Sequence, residues 1–261
     1  MKKIVLLCLW LMAGIAHAAP GDSRLLDDLR ATPAWTSSAS DQVGHALRRD
    51  PRDGSLCLDY DFGQVSGYAV LRRELPQRWP ANFELGLKLK GSGAGNDFQF
   101  KLVDASGDNV WWVNKPAHDL PARLQTLKIK RRHIDFAWGT TADRQLRQTA
   151  ALELVIAAGR AGGGKGSLCL AGITLTEREP APATSPPPTS WQAEGGRPQR
   201  LDIDADARHE FNGLSLRWAP GAHARDYDVL ASDDGHQWRM LRRVRGSDGG
   251  LDTLFMPESE A

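Results

Sequence analysis

The sequence predicts an all-β protein, and three observations predict it. Apolar and polar residues alternate with a period of two in many short runs, the pattern of half-buried strands. Gly (26) and Pro (15) are plentiful and gather into turn signals between those runs. Stretches with a 3.6-residue period are scarce, which leaves little from which to build a helical core. At 261 residues the chain is long enough for one large domain or two modest ones. Its 33 basic and 32 acidic residues are interspersed, giving a formal net charge of +1. With no basic stripe to neutralise phosphates, no nucleic acid is expected as a partner.

The first element is an export signal. Lys2 and Lys3 precede an apolar run over residues 4–15, and Ala16-His17-Ala18 gives the small-x-small pattern before a cut. Residues 1–18 read as a signal peptide cleaved after Ala18. The run falls short of the ~20 apolar residues a span requires, so no membrane span is expected after cleavage. Cys8 lies inside the run without the small residues that precede a lipidated cysteine. The expected location is periplasmic or secreted, since the same signal serves both, and the mature chain keeps Cys57 and Cys169.

Residues 23–30 carry a hint of helix and read as a short lead-in. From Leu56 the strand pattern takes over: Leu56, Leu58, Tyr60 and Phe62 point one way, Cys57, Asp59 and Asp61 the other. The same period recurs at Phe83/Leu85/Leu87/Leu89, Phe98/Phe100/Leu102, Ile134/Phe136/Trp138, Leu152/Leu154/Ile156 and Ile173/Leu175. Turn signals such as Gly91-Ser92-Gly93 and Asp104-Ala105-Ser106-Gly107 separate them. Short strands punctuated in this way predict a two-sheet sandwich over residues 19–179. Residues 180–189, Pro-Ala-Pro-Ala-Thr-Ser-Pro-Pro-Pro-Thr, cannot pack a core and read as a semi-rigid linker. Alternation returns at Leu201/Ile203, Leu214/Leu216/Trp218 and Tyr227/Val229/Ala231, so residues 190–261 form another β module. Its length is short of the ~100 residues of a usual sandwich.

Motifs that could carry chemistry have plain structural readings. Gly159-Arg-Ala-Gly-Gly-Gly-Lys165 approaches a phosphate-binding loop, but Gly166 stands where a Ser or Thr must meet magnesium, and a strand follows instead of a helix. A hairpin loop is the reading it supports. Asp202-x-Asp204-x-Asp206 lacks the glycine and the closing Glu of a calcium loop and reads as a strand face entering a turn. The carboxylates Asp59, Asp61, Asp97, Asp104, Asp108 and Asp135 show no spacing that marks a glycosidase pair. There is no Gly-x-Ser-x-Gly elbow and no His-Glu-x-x-His helix. No catalytic residue is therefore assigned, and His133 beside Arg131 and Arg132 reads as a solvated turn.

Cys57 and Cys169 both sit in Ser-Leu-Cys-Leu and alternate away from their flanking leucines. They are a disulfide candidate if the two strands are neighbours, and two independent thiols if not. In Asn109-Val-Trp-Trp-Val-Asn114, Trp111 and Trp112 point to opposite faces of a strand, so at most one is core. Which one faces outward is left open. Trp138, in phase with Ile134 and Phe136, reads as core.

Residues Ser55-Leu-Cys-Leu-Asp-Tyr-Asp-Phe62, Gly67-Tyr68, Leu75-Pro76, Phe98-Gln-Phe-Lys-Leu102, Asn109-Val-Trp-Trp112, Ile134-Asp-Phe-Ala-Trp-Gly139 and Gly164-Lys-Gly-Ser-Leu168 carry a likeness in their order and spacing. The first module resembles the galactose-binding-like jelly rolls of bacterial secreted carbohydrate-active proteins. Phe211-Asn-Gly-Leu-Ser-Leu-Arg-Trp218 and Tyr227-Asp-Val-Leu-Ala-Ser-Asp-Asp-Gly-His-Gln-Trp238 resemble the opening half of a discoidin, or coagulation factor 5/8 type C, domain, in which Trp218 and Trp238 would be framework residues. Such domains continue with several more strands, so the second module is expected to be a truncated, partial sandwich. The resemblance implies an exported, non-catalytic protein that binds carbohydrate or cell-surface glycan. Trp111 or Trp112 would be the stacking platform, with Asn109, Asn114 or Asp97 as polar partners. Two rivals are an accessory N-terminal region of a larger secreted glycoside hydrolase and an envelope adhesion protein that meets a protein partner through the truncated module. No cofactor is implied. A structural calcium ion is compatible with the likeness, although no ligand set stands out.

Overall fold

A computed structural model describes residues 21–30, 34–159, 162–180, 199–205 and 207–261. The signal peptide read at 1–18 and the linker residues 181–189 lie outside the described residues. The chain divides into two compact units, residues 1–179 and 180–261.

The first unit contains twelve described strands: β1 (Ser23–Asp27), β2 (Trp35–Ala39), β3 (Gly44–Arg49), β4 (Leu56–Asp61), β5 (Tyr68–Arg78), β6 (Phe83–Ser92), β7 (Asn96–Val103), β8 (Val110–His118), β9 (Gln125–Lys130), β10 (Asp135–Trp138), β11 (Gln148–Ala157) and β12 (Lys165–Glu177). They form two six-stranded antiparallel sheets. One runs β3-β4-β12-β6-β9 with β1 also on β12, and the other runs β10-β8-β7-β11-β5-β2. Period-two alternation puts one face of each sheet into a shared core. Leu56, Leu58, Tyr60 and Phe62 join Leu85, Leu87 and Leu89 from the first sheet, against Phe98, Phe100, Leu102, Trp111, Leu152 and Leu154 from the second. The two-sheet sandwich predicted from the alternation, a jelly roll by the resemblance, is the observed fold of this unit.

A bulge lets β12 serve two partners. Its first half, through Leu170, pairs with β4, and from Ile173 onward it pairs with β1. The register shift between Leu170 and Gly172 keeps Leu168, Leu170, Ile173 and Leu175 all facing the core. Residues 23–27 are thus a strand, correcting the helical expectation. The β12 edge supplies backbone partners that a helix would have to find within itself. The Asp27 carboxylate then reaches Arg73 of β5, in the opposite sheet, at 2.8 Å.

The glycine-rich loop before β12 is not a hairpin, because β11 and β12 belong to different sheets. The buried Asn96 side chain accepts from the Gly163 N–H at 2.6 Å and donates to the Gly163 carbonyl at 3.3 Å. A Cβ at Gly162 would overlap Asn96 Oδ1. The described glycines of this loop accommodate the clasp; Arg160 and Ala161 of the candidate phosphate loop lie outside the described residues. Cys57 and Cys169 face each other in register on β4 and β12 and are joined by a disulfide. They lie on the outer side of that sheet, as their alternation implies, yet both are buried. Arg48 and Lys90 occupy the flanking register positions on β3 and β6.

The second unit comprises β13 (Glu210–Arg217), β14 (Asp226–Ala231), β15 (Arg239–Arg245) and β16 (Leu251–Glu260), in two separate two-stranded sheets, β13-β16 and β14-β15. The expected strand at Leu201/Ile203 is absent, and both side chains are exposed. The Asp252 carboxylate ties this unit together. It accepts from Trp218 Nε1 at 2.8 Å, the Tyr227 hydroxyl at 2.7 Å and the Ser247 hydroxyl at 2.8 Å. Burial and this carboxylate both push the Tyr227 phenol up. Trp218 is structural, as expected of a framework residue. Trp238 is not: it is exposed, bonds the carbonyl of its own turn at Gly235, and stacks under Arg200.

Candidate functional site: the outer face of the second sheet

The outward residues of the β10-β8-β7-β11-β5-β2 sheet fall into rows that cross the strands. One row reads Asp135, Trp112, Lys101, Glu153, Arg72 and Thr36 from one edge to the other. The next reads Asn114, Gln99, Val155, Val70 and Ser38. Beyond it lie Asp97, Ala157 and Tyr68. On the other side Trp138 and Val110 begin a row continued by Val103, Ala151 and Glu74. Strands stand ~4.8 Å apart, so each row spans roughly the length of several pyranose rings.

Aromatic rings concentrate at one end of this face. Trp112 and Trp138 meet edge-to-face with ring centroids 5.5 Å apart, and the Lys101 ammonium lies 5.2 Å from the Trp138 centroid. Trp138 is 46% exposed, and Tyr68, at the far corner, is 48% exposed. Trp138 was expected in the core. A register shift between Phe136 and Trp138 inserts one residue, so Phe136 stays opposite Trp111 on the core side while Trp138 comes opposite the outward-facing Val110. The bulge thus turns Trp138 outward beside Trp112. No alternation count that assumes a regular strand can detect this.

The structure separates the five residues expected to bind. Trp112 and Asn114 face outward on β8, with Asn114 exposed. Trp111 is only 5% exposed; it packs on Phe136 and donates its indole N–H to the Arg144 carbonyl at 2.7 Å. Asn109 is buried as well, donating to Asp104 at 2.7 Å and accepting from the Thr141 N–H at 2.9 Å. These two are framework, which corrects their assignment as ligand contacts. A Cβ at Gly139, where φ is +142°, would overlap the Asn109 amide, so this clasp also fixes the turn after β10. Asp97 faces outward but its Oδ1 accepts the Ala117 N–H at 2.9 Å, holding the backbone of a non-glycine residue with φ of 47°. Its role at the face is to shape the rim.

Sequence reasoning missed Gln99, Lys101, Tyr68, Arg72 and Glu153. Gln99 and Lys101 were legible, since Phe98-Gln-Phe-Lys-Leu102 alternates without interruption. Arg72 and Glu153 required the pairing of β5 with β11. Arg72 bonds Glu153 at 2.6 Å and Glu74 at 2.8 Å, forming a short ion-pair chain on the face. Burial pushes the Lys101 ammonium below its ordinary value, against the pull of Glu153. Among the described residues no cluster of three or more His, Cys, Asp or Glu side chains could hold a metal ion. No helix of the described residues is long and apolar enough to cross a membrane.

No protein-family model and no curated protein matches the chain. Among solved structures it is similar to the family 11 carbohydrate-binding module from Clostridium thermocellum in complex with a β-1,3-1,4-mixed-linked tetrasaccharide. That likeness has 17% identity and a TM-score of 0.49, covering 62% of this chain and 98% of that one. A second similar structure is the family 11 module of a cellulosomal cellulase of the same organism, with 16% identity, a TM-score of 0.48, and coverage of 61% and 96%. A glycoside hydrolase domain, Endo-D from Streptococcus pneumoniae R6, has 14% identity and a TM-score of 0.39, covering 86% of this chain and 32% of that one. With TM-scores below 0.5, these likenesses place no residue of this chain in a ligand site.

Proposed function

We propose that this is an exported, non-catalytic carbohydrate-binding protein that holds a glycan across the outer face of its β10-β8-β7-β11-β5-β2 sheet. The observation that carries the reading is the outward pair Trp112 and Trp138, with centroids 5.5 Å apart, set beside the Asn114/Gln99 amide row. Sugars present C–H faces to indole rings and hydroxyls to amides and charged groups, so this combination suits an open, shallow recognition surface. The cleavable leader read at residues 1–18 supports delivery to the periplasm or beyond.

The carboxylates favour binding over hydrolysis. A glycosidase needs an acid whose pKa is raised across from a second carboxylate. The described carboxylates that depart from their ordinary range, Asp50, Asp53, Asp61, Asp104, Asp143, Asp228, Asp234 and Asp252, all depart downward. On the face itself Glu153 and Glu74 are both held by Arg72.

The test is a glycan-array screen of the full chain beside Trp112→Ala, Trp138→Ala and Arg48→Ala, with folding verified by circular dichroism. Selective binding should drop about tenfold or more in either tryptophan variant, equivalent to about 1.4 kcal/mol, and persist in Arg48→Ala on the opposite sheet. A well-folded protein that binds no glycan, or one whose binding ignores both tryptophans, would sink the proposal.

A further inference from the structure

Lys101 sits at the centre of the proposed face, between Trp112 on one side and Glu153 on the other in the same cross-strand row. Its neighbours in the core direction, Phe100 and Leu102, are fully buried, so its stem rises from a tightly packed strand. Among the described residues it forms no ion pair and no hydrogen bond, and its contact is the Trp138 ring. Glu153, the nearest carboxylate in register, is taken by Arg72 at 2.6 Å, and Arg72 also holds Glu74. Asp135 stands across Trp112 on the edge strand. A half-buried ammonium set against the Trp138 ring has lost part of its hydration without gaining an ion-pair partner in contact. The attraction of the ring face recovers only part of that lost hydration.

We infer that the glycan bound here is anionic, with a carboxylate or sulfate group on the sugar that stacks on Trp112 and Trp138 received by the Lys101 ammonium. The inference rests on the proposed binding face and adds its specificity. A sugar seated on the two rings brings its substituents within reach of the ammonium beside the Trp138 ring. An acidic substituent there makes a charge-assisted hydrogen bond at a site already partly shielded from water by the Trp138 ring. Burial pushes the Lys101 ammonium below its ordinary value, and a bound anion would act in the opposite direction. A neutral sugar would leave the ammonium unpaired and further desolvated, so the same lysine discriminates against it.

The experiment is isothermal titration of the full chain with four oligosaccharide probes: oligogalacturonate, its methyl ester, a sulfated galactan and a neutral galactan. Wild-type protein, Lys101→Gln, Lys101→Arg and Trp112→Ala are compared, with melting temperatures as the folding control. Wild type should bind at least one anionic probe tenfold or more tighter than its uncharged counterpart, and added salt should weaken that binding. The preference should collapse in Lys101→Gln and survive in Lys101→Arg. Preference for oligogalacturonate over its methyl ester assigns a uronate; preference for the sulfated galactan assigns a sulfate ester. Equal binding of charged and neutral probes, or an anionic preference that Lys101→Gln leaves intact, overturns the inference while Trp112 dependence keeps the binding face. Failure of all four probes to bind removes the inference too, and the glycan array then decides whether the face binds any sugar.

Discussion

On the outer face of the β3-β4-β12-β6-β9 sheet most charges meet counter-charges, Lys88 excepted among the described residues, whereas on the outer face of its partner sheet rings and amides stand open beside a single ion-pair chain at Arg72. Arg48 pairs with Asp59 at 2.6 Å, Lys165 with Asp61 at 2.8 Å, Lys128 with Glu84 at 2.9 Å, and Lys90 with Asp50 and Asp53 at 2.5 and 2.7 Å. A disulfide lies buried among these ions. The partner sheet instead turns Trp112, Trp138 and Tyr68 outward and leaves Lys101, among the described residues, without an ion-pair contact. Both faces arise from the same alternation over the same core, so the core does not explain the difference. A face whose charges satisfy one another has little to offer a ligand, while unsatisfied rings and an unpaired ammonium retain free energy for binding.

The sharpest way to break this comparison lies within one dipeptide. Trp111→Ala should cost about 3–5 kcal/mol of stability, because it empties a core site and orphans the Arg144 carbonyl. Trp112→Ala should cost about 1 kcal/mol or less while weakening binding about tenfold or more. Chemical denaturation of both variants checks this. Comparable destabilisation by the two would mean that the faces are not distinct.

On the ionic face, replacing Cys57 and Cys169 together by Ala should lower stability by about 2–5 kcal/mol, since the disulfide closes a sequence separation of 112 residues. Glycan affinity should stay unchanged. Loss of affinity in a variant that still folds would show that the two faces communicate.

A smaller effect concerns pH. Lys90, with help from Ser55, holds the Asp53 carboxyl down to about 2, and lowers that of Asp50 as well. A folded-state pKa below the unfolded value means the folded state binds fewer protons, so this contribution is complete above the unfolded pKa near 3.8 and is lost as pH falls toward about 2. Melting temperature should therefore fall over that window, and less steeply in Lys90→Met than in wild type. Equal slopes would remove the ion cluster from the stability of this face.

The smallest effect belongs to Lys128→Ala, whose ammonium is mostly exposed while bonded to Glu84. It should change stability by about 0.5 kcal/mol or less and leave binding untouched.

Much of the sandwich was legible because its strands bury one side: Leu56 through Phe62 and Phe98 through Leu102 declare their core face by parity alone. What escaped the sequence depends on distant partners. The β1 strand looked helical because nothing in Leu25-Leu26-Asp27-Asp28-Leu29 foretells the free edge of β12. Strand β5 went unread because Arg72 and Arg73 interrupt its apolar pattern, and the Arg73 charge is met by Asp27 from the opposite sheet. At the binding face, alternation separated Trp111 from Trp112 but could not say which was outward. The bulge before Trp138 reversed a parity that the sequence gives no sign of breaking. Asn109 and Asn114 look alike as amides in the sequence, and only the Asp104 and Thr141 contacts mark Asn109 as framework.

The most direct test of the account is an NMR titration of the tryptophan indole N–H signals in the full chain, using the oligosaccharide that scores highest on the array. The account predicts shifts at Trp112 and Trp138, with Trp35, Trp79 and Trp111 unmoved beneath the sheets. Shifts confined to Trp218 and Trp238 of the second unit, or no indole shift at saturating ligand, would contradict it.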